Sequence, residues 1–331
     1  MPAGVRVEPF VEGGPWDQPL RDCLAVGGAD FEPCDFTTLP PLARELGTPT
    51  ADDLAERLLV SEPWMGERLL AVLEAAPDSL TWAASVTGIV VGAGIAPSFL
   101  SVRTGAIYLD ARHLAITEEE WRQASGGADR RGVHADELLF VATWAYDVPA
   151  QAEGFDALLP RAAAVMYHEL AHALDRFPAA ALAAADAGAT PREFADARHA
   201  DSASGRLPDT HPLQASRLFD LTRVTVDDDP PTADQLAFTG AQAAAELQGD
   251  AATDFYAYFD PQEDVALLVE EFQLARHLGV PREVYVEDRE GGLVWGQRGR
   301  IGEPAVKARL RWVLQELLPS GSREADRKSV V

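Results

Sequence analysis

Two histidines and a glutamate stand close together in the segment 166–172, at positions His168, Glu169 and His172. The neighbouring residues are rich in alanine and leucine, which favour helix formation, so the sequence predicts a helix over 162–175. Four residues along an α-helix advance the side-chain direction by only about 40° beyond a full turn, which places both histidines on one face. Two imidazoles so arranged can bind one metal ion, while Glu169 would reach a water molecule on that metal.

The alternative is that His168 and His172 are ordinary core residues. In that case the ionisable Glu169, on an otherwise apolar helix, would need a partner of its own. The His-Glu-x-x-His spacing is that of zinc metallopeptidases, and we therefore interpret the segment as metal-binding.

A zinc site of this kind needs a third protein ligand and leaves a fourth position for water. None of the other histidines follows His172 at short spacing, so a carboxylate is favoured; they are His113, His134, His199, His211 and His277. The best candidate lies in the segment 256–272, which offers Glu263, Glu270 and Glu271. Glu263 also follows Asp260 and Pro261 at a helix start, where it could serve only as a capping glutamate.

These segments resemble the catalytic domain of anthrax lethal factor and its relatives, which are zincin metallopeptidases with a glutamate ligand (gluzincins). The resemblance rests on His-Glu-x-x-His-Ala-x-Asp, from His168 to Asp175, and on Tyr256, seven residues before Glu263. It covers these two segments only. The chain departs from the pattern at Leu267, where the family has a second glutamate. The long separation of the two segments implies an insertion at about 178–250, which we interpret as a cap beside the site or a decorative subdomain.

The resemblance implies that His168, His172 and Glu263 bind Zn²⁺ and that Glu169 is the general base. It also implies that Tyr256 donates to the oxyanion, with Tyr258 as the alternative; either tyrosine could instead merely pack. Asp175 would hold the free N–H of a ligand histidine, or would only end the helix. The strand 105–110 is a candidate edge strand for an extended peptide, or an ordinary strand of a sheet.

We therefore expect a zinc-dependent metallopeptidase whose Glu169 activates a metal-bound water and whose partner is a peptide or protein substrate. One alternative is a catalytically inactive zincin-fold protein that binds or scaffolds, which the leucine at 267 favours. Another is a metal-dependent hydrolase of a non-peptide amide. Assays separate the three, because the sequence does not name the substrate.

The charge composition restricts the classes of molecule that the protein is expected to bind. The 331 residues carry 28 Lys and Arg against 53 Asp and Glu, a net charge of −25, which argues against a nucleic-acid binder or a protein of anionic membranes. No signal peptide or membrane-spanning segment is evident, and we expect a cytoplasmic protein. In that compartment Cys23 and Cys34 are expected to be inert thiols; a disulfide between them is the alternative, and a metal site is less favoured still.

The pattern of elements predicts an α+β, zincin-like fold. We expect a helical N-terminal region over 1–80 and a catalytic domain over 81–331 that includes the insertion. Thr50 would cap a helix carrying Leu54, Leu58 and Leu59. The remaining predicted elements are a helix over 63–76, strands within 86–91, 99–102 and 106–109, a helix after Asp260, a hairpin over 284–287 and 293–296, and a helix over 304–318.

Overall fold

The computed structural model describes residues 4–25, 32–125, 134–226 and 230–318. The chain forms two compact units. The first unit comprises residues 1–129 and 150–200, and the second comprises residues 130–149 and 201–331. Helices and sheets are both present, as the α+β prediction requires.

A five-stranded sheet forms the centre of the first unit, in the order β1-β2-β3-β5-β4. Its strands are β1 (Glu8–Pro9), β2 (Leu58–Val60), β3 (Ile89–Gly92), β4 (Phe99–Ser101) and β5 (Ala106–Asp110). The three central strands run parallel to one another, whereas β1 and β4 pair antiparallel at the two edges. Every residue of β2, β3 and β5 is buried, as expected for strands covered on both faces.

Nine α-helices of the first unit lie within the described residues. They are α1 (Asp17–Leu24), α2 (Leu42–Glu45), α3 (Ala51–Ala55), α4 (Pro63–Ala75), α5 (Ser79–Trp82), α6 (Glu118–Ala124), α7 (Gly154–Arg176), α8 (Ala179–Leu182) and α9 (Pro191–Arg198). The long helix α7 packs against α4 and α5. The hydroxyl of its Tyr167 donates to the carbonyl oxygen of Pro77 at 2.8 Å.

Three predictions for the first unit are wrong. Leu58 and Leu59 belong to β2 and not to the Thr50-capped helix, because this short apolar run pairs between β1 and β3. That pairing also joins residues 1–80 to the following strands, so no boundary falls at residue 80. The candidate edge strand 105–110 is internal, since β5 pairs with β3 on one side and β4 on the other.

Other predictions for this unit are confirmed or extended. Thr50 caps α3 in a reciprocal capping box with Asp53, and α4 has nearly the predicted bounds. The helix that carries the two histidines begins at Gly154, eight residues before the predicted start, and Pro160 lies inside it. Its missing N–H removes one backbone hydrogen bond near the N-terminal end, and the second half of α7 is unaffected.

Cys23 and Cys34 form a disulfide, which corrects the expectation of two free thiols. The α-carbons are 5.6 Å apart, within the range that a disulfide spans. Cys23 lies in α1 and is buried in an apolar cluster, and Cys34 packs against the same cluster. The sequence separation of 11 is compatible with both free thiols and a disulfide, because the distance between the two α-carbons depends on tertiary packing.

The second unit contains a three-stranded antiparallel sheet in the order β6-β7-β8. Its strands are β6 (Phe140–Tyr146), β7 (Arg282–Asp288) and β8 (Leu293–Arg298). Its described α-helices are α10 (Ala203–Thr210), α11 (Ser216–Val226), α12 (Ala233–Leu236), α13 (Gly240–Gly249), α14 (Pro261–Gln273) and α15 (Pro304–Leu317). The predicted hairpin, the helix after Asp260 and the final helix are thereby confirmed.

Helix α14 lies at the centre of the second unit. Every residue from Asp264 to Gln273 is buried, and Leu267 packs into a cluster that contains Phe140, Phe255 and Val284. The position that departs from the family pattern is therefore part of an apolar core.

The stretch 178–250 belongs partly to each unit and folds mainly as short helices, from α8 to α13. Residues 227–229 lie outside the described residues. The role of the stretch 178–250 as a cap beside the site stays a prediction. Within the described parts of the chain, no helix combines the length and the apolar character that crossing a bilayer requires.

Candidate metal site

The first half of the site lies on α7. The Nε2 atoms of His168 and His172 are 3.2 Å apart, and the ring centroids are 4.8 Å apart with an interplanar angle of 83°. Both side chains are partly exposed, whereas the residues around them on the helix are mostly buried. The one-turn spacing predicted from the sequence therefore brings the two nitrogens together.

Two further residues of this helix figure in the predicted site. Glu169, between the two histidines, is only 4% exposed. Asp175 is 5% exposed and lies one residue before the end of α7. The burial of Glu169 suits a base that is shielded from bulk water. The role of Asp175 as the partner of a ligand histidine stays a prediction.

The third predicted ligand lies in the first turn of α14. Asp260 caps this helix by accepting hydrogen bonds from the backbone N–H groups of Gln262, at 2.7 Å, and of Glu263, at 2.9 Å. His168, His172 and Glu263 form a group in which each side chain offers one ligand atom. These atoms all lie within 4.8 Å of one another, and all three residues are partly exposed.

The donor set fits a zinc ion. Ligand nitrogens about 2.0–2.1 Å from a tetrahedral zinc are about 3.3 Å apart, close to the spacing of the two Nε2 atoms. Two imidazoles and one carboxylate are the ligands of a known class of catalytic zinc sites, which keep one position for water. The group could therefore hold a metal ion through His168, His172 and Glu263.

Glu270 and Glu271, the alternative ligands, have other partners. Glu270 accepts a hydrogen bond from the hydroxyl of Tyr146 and lies 3.6 Å from Nη1 of Arg282. Glu271 accepts from the backbone N–H of Ile301 at 3.4 Å. Among the described residues, the metal-binding group contains Glu263 and neither of these two.

These two glutamates belong to a buried charge cluster of the second unit, formed by Asp254, Glu270, Glu271 and Arg282. Nη2 of Arg282 lies 2.5 Å from Oδ2 of Asp254, and all four residues are at most 4% exposed. Burial raises the pKa of Glu271 to about 8, although the nearby Arg282 opposes this shift. Burial also raises the pKa of Asp254, again against the effect of Arg282. The cluster therefore holds more acid than one arginine neutralises.

Sequence reasoning missed this cluster, but a signal was present. Arg282 alternates with Val284 and Val286 along β7, and side chains at alternate positions share one face of a strand. An arginine on an otherwise apolar face indicates a buried cation, which in turn requires buried carboxylates. The carboxylates themselves, on α14 and before Tyr256, could not be assigned to it from spacing.

The tyrosines predicted to donate to the oxyanion lie in a short 3₁₀ helix, Tyr256–Tyr258. Tyr256 is partly exposed and its ring stacks on Phe259 at a centroid distance of 5.7 Å. Tyr258 is fully buried and its hydroxyl donates to Oδ2 of Asp250 at 2.9 Å. The hydroxyl of Tyr258 is therefore engaged by Asp250. Donation from Tyr256 to the oxyanion stays a prediction.

Comparison with known proteins adds no relative to this geometry. Neither a protein-family model, nor a curated protein, nor a solved structure matches the chain.

Proposed function

We propose that the protein is a zinc-dependent metallopeptidase with a zincin-like arrangement of its site. The observation that carries the proposal is the grouping of His168, His172 and Glu263, whose ligand atoms lie within 4.8 Å of one another. The position of Glu169 between the two histidines adds to it, because a hydrolase of this class needs a base next to its ligands.

In this proposal His168, His172 and Glu263 hold the ion. A bound zinc ion would lower the pKa of a water molecule and polarise the scissile carbonyl group. Glu169 accepts a proton from that water at a carboxylate oxygen and returns it to the leaving amine. Tyr256 donates from its hydroxyl to the oxygen that becomes negatively charged. The substrate is a peptide or protein with an extended segment, since the reaction requires access to a backbone amide.

The test combines metal content with peptide hydrolysis. The purified chain is loaded with Zn²⁺, dialysed and analysed for metal, and then incubated with a pooled library of quenched fluorogenic peptides. Wild type should retain about one equivalent of zinc and cleave members of the library. Glu169→Gln should retain the zinc and lose cleavage by about 10²–10⁴-fold, because it removes only the base.

Glu74→Gln is the matched control, since Glu74 is an exposed glutamate near the end of α4. It should behave like wild type in both measurements. Wild-type zinc content below about 0.2 equivalents would contradict the proposal, because a site of this type binds tightly. Full zinc content without cleavage of any peptide would favour the binding or scaffold protein, and cleavage of a non-peptide amide alone would favour the third function.

A further inference from the structure

A buried ion pair lies next to the proposed ligand Glu263. Its neighbour Asp264 is 4% exposed and Arg309 of α15 is 3% exposed. Nη1 of Arg309 donates to Oδ1 of Asp264 at 3.0 Å, and Nη2 donates to Oδ2, so the pair is bidentate. Such forked contacts fix orientation as well as distance.

Arg309 is also held on its other side. Its Nε donates to the carbonyl oxygen of His211 at 3.0 Å, and Nη1 donates to the carbonyl oxygen of Ala251 at 3.0 Å. The guanidinium group is therefore held by two backbone carbonyl groups outside α14, and it contacts α14 through the carboxylate of Asp264. A buried arginine with these partners has little freedom to follow a movement of the helix.

The direction in which Glu263 points depends on the rotation of α14 about its own axis. A side-chain group about 6 Å from a helix axis moves by about 2 Å when the helix rotates by 20°. A metal ligand tolerates displacements of only about 0.2–0.5 Å. The first turn of α14 therefore needs an anchor close to Glu263, and Asp264 is the adjacent residue.

We infer that Arg309 is a positioning residue for Glu263, which sets the rotation of the first turn of α14 through its bidentate contact with Asp264. The inference rests on the proposed function, because it assigns a role to the pair only if Glu263 binds the metal. A purely structural pair would change stability and leave metal affinity unaltered.

The experiment measures the Kd for Zn²⁺ by competition with a chelating dye, at a temperature where every variant is folded by circular dichroism. Arg309→Lys keeps the positive charge but loses the bidentate contact with Asp264. It should weaken zinc binding by about 10–100-fold, as substitution of residues that support metal ligands does. The double variant Asp264→Leu/Arg309→Met replaces the pair by apolar side chains, which often restores stability. It should still bind zinc at least about 10-fold more weakly than wild type.

Arg300→Lys is the matched control. Arg300 is fully buried, and its Nη atoms donate at 2.8 Å to the carbonyl oxygens of Leu247 and Asp250, which lie outside α14. This variant should lose stability but keep its zinc affinity within about 3-fold, because its contacts do not orient a ligand.

Equal zinc affinity in wild type, Arg309→Lys and the double variant would overturn the inference while leaving the proposed function intact. A loss of affinity in Arg300→Lys as large as in Arg309→Lys would also overturn it, because the effect would then follow stability alone. Absence of zinc binding by wild type is a different result and would overturn the proposed function itself.

Discussion

Helices α7 and α14 both carry proposed metal ligands, but they differ in how those ligands are oriented. Helix α7 supplies His168 and His172, whose Nε2 atoms are 3.2 Å apart because the helix repeat itself places them one turn apart. Helix α14 supplies Glu263 alone, and buried ion pairs hold it at Asp264 and, two turns further along, at Glu270.

The difference shows which part of a site is determined by residues close together in sequence and which part depends on tertiary contacts. The spacing of two ligands on one helix depends on backbone geometry and is fixed by four residues of sequence. A single ligand on a second helix depends on tertiary contacts, which set the rotation and depth of that helix. The proposed histidine pair is therefore expected to tolerate changes elsewhere in the protein better than Glu263 does.

The largest effect is expected on α7. His168→Ala or His172→Ala should abolish zinc binding, since each removes a ligand, and the loss should exceed the roughly 10–100-fold that follows changes to supporting residues. Metal analysis after zinc loading measures this directly. His277→Ala, outside the metal-binding group, is the control and should retain the metal. Full retention of zinc by His168→Ala or by His172→Ala would show that the substituted histidine is not a ligand, and would contradict the contrast drawn between α7 and α14.

A second prediction separates ligand from anchor on α14. Glu263→Ala should weaken zinc binding by more than about 100-fold, whereas Glu270→Ala and Glu271→Ala should weaken it by less than about 10-fold. Glu270→Ala should nevertheless lower the free energy of unfolding more than Glu263→Ala does, because it removes a buried side chain that accepts a hydrogen bond from the hydroxyl of Tyr146. Zinc titration and urea unfolding of the three variants test both statements. Loss of metal from Glu270→Ala alone would show that the ligand lies two turns further along.

The third prediction concerns pH. The pKa of Glu271 is raised from 4.5 to about 8 by burial, in a cluster that also contains Asp254, Glu270 and Arg282. The folded protein therefore holds a proton on Glu271 that the unfolded chain releases between these two values, so this group lowers stability as pH rises through that window. Glu271→Gln cannot ionise, and its free energy of unfolding relative to wild type should rise by about 1 kcal/mol or more between pH 5 and pH 8.5.

Urea unfolding of wild type and Glu271→Gln at the two pH values measures this difference. Glu74→Gln, on the exposed end of α4, should show the same pH dependence as wild type. A Glu271→Gln difference that stays constant between the two pH values would mean that Glu271 is already ionised in the folded protein at pH 5.

The smallest effect is expected at the helix N-termini. Asp260 caps α14 with hydrogen bonds at 2.7 and 2.9 Å, whereas Glu153 at the start of α7 makes no side-chain capping bond. Asp260→Ala should therefore lower the free energy of unfolding by about 1 kcal/mol, and Glu153→Ala by less than about 0.5 kcal/mol. Thermal unfolding of the two variants compares them, and equal losses would mean that the cap does not fix the first turn of α14.

The elements with strong local signals could be predicted from the sequence. Thr50, Asp260 and the alternating valines of β7 marked two helix starts and one strand, and the His168–His172 spacing placed both rings on one face. Leu58 and Leu59 were assigned to a helix because a short apolar run has no period of its own. Their strand exists because β1 and β3 lie on either side of it. The Arg309–Asp264 pair joins residues distant in sequence, which spacing does not reveal. The disulfide joins residues only 11 positions apart, but spacing alone does not show that the two sulfur atoms lie within bonding distance.

Strand β6 has a consequence for biosynthesis. Its partner β7 lies about 140 residues further along the chain, and pairings of such long range form slowly. All residues of the first unit have been synthesised once residue 200 is added, so this unit can fold before β7 has emerged from the ribosome. Until then β6 has no β7 to pair with. During that interval the strand offers unpaired backbone groups together with Val141 and Trp144, both exposed even in the finished fold. Slow translation or heat should therefore cause aggregation through this segment first, and charged substitutions at Val141 should raise the yield of folded protein.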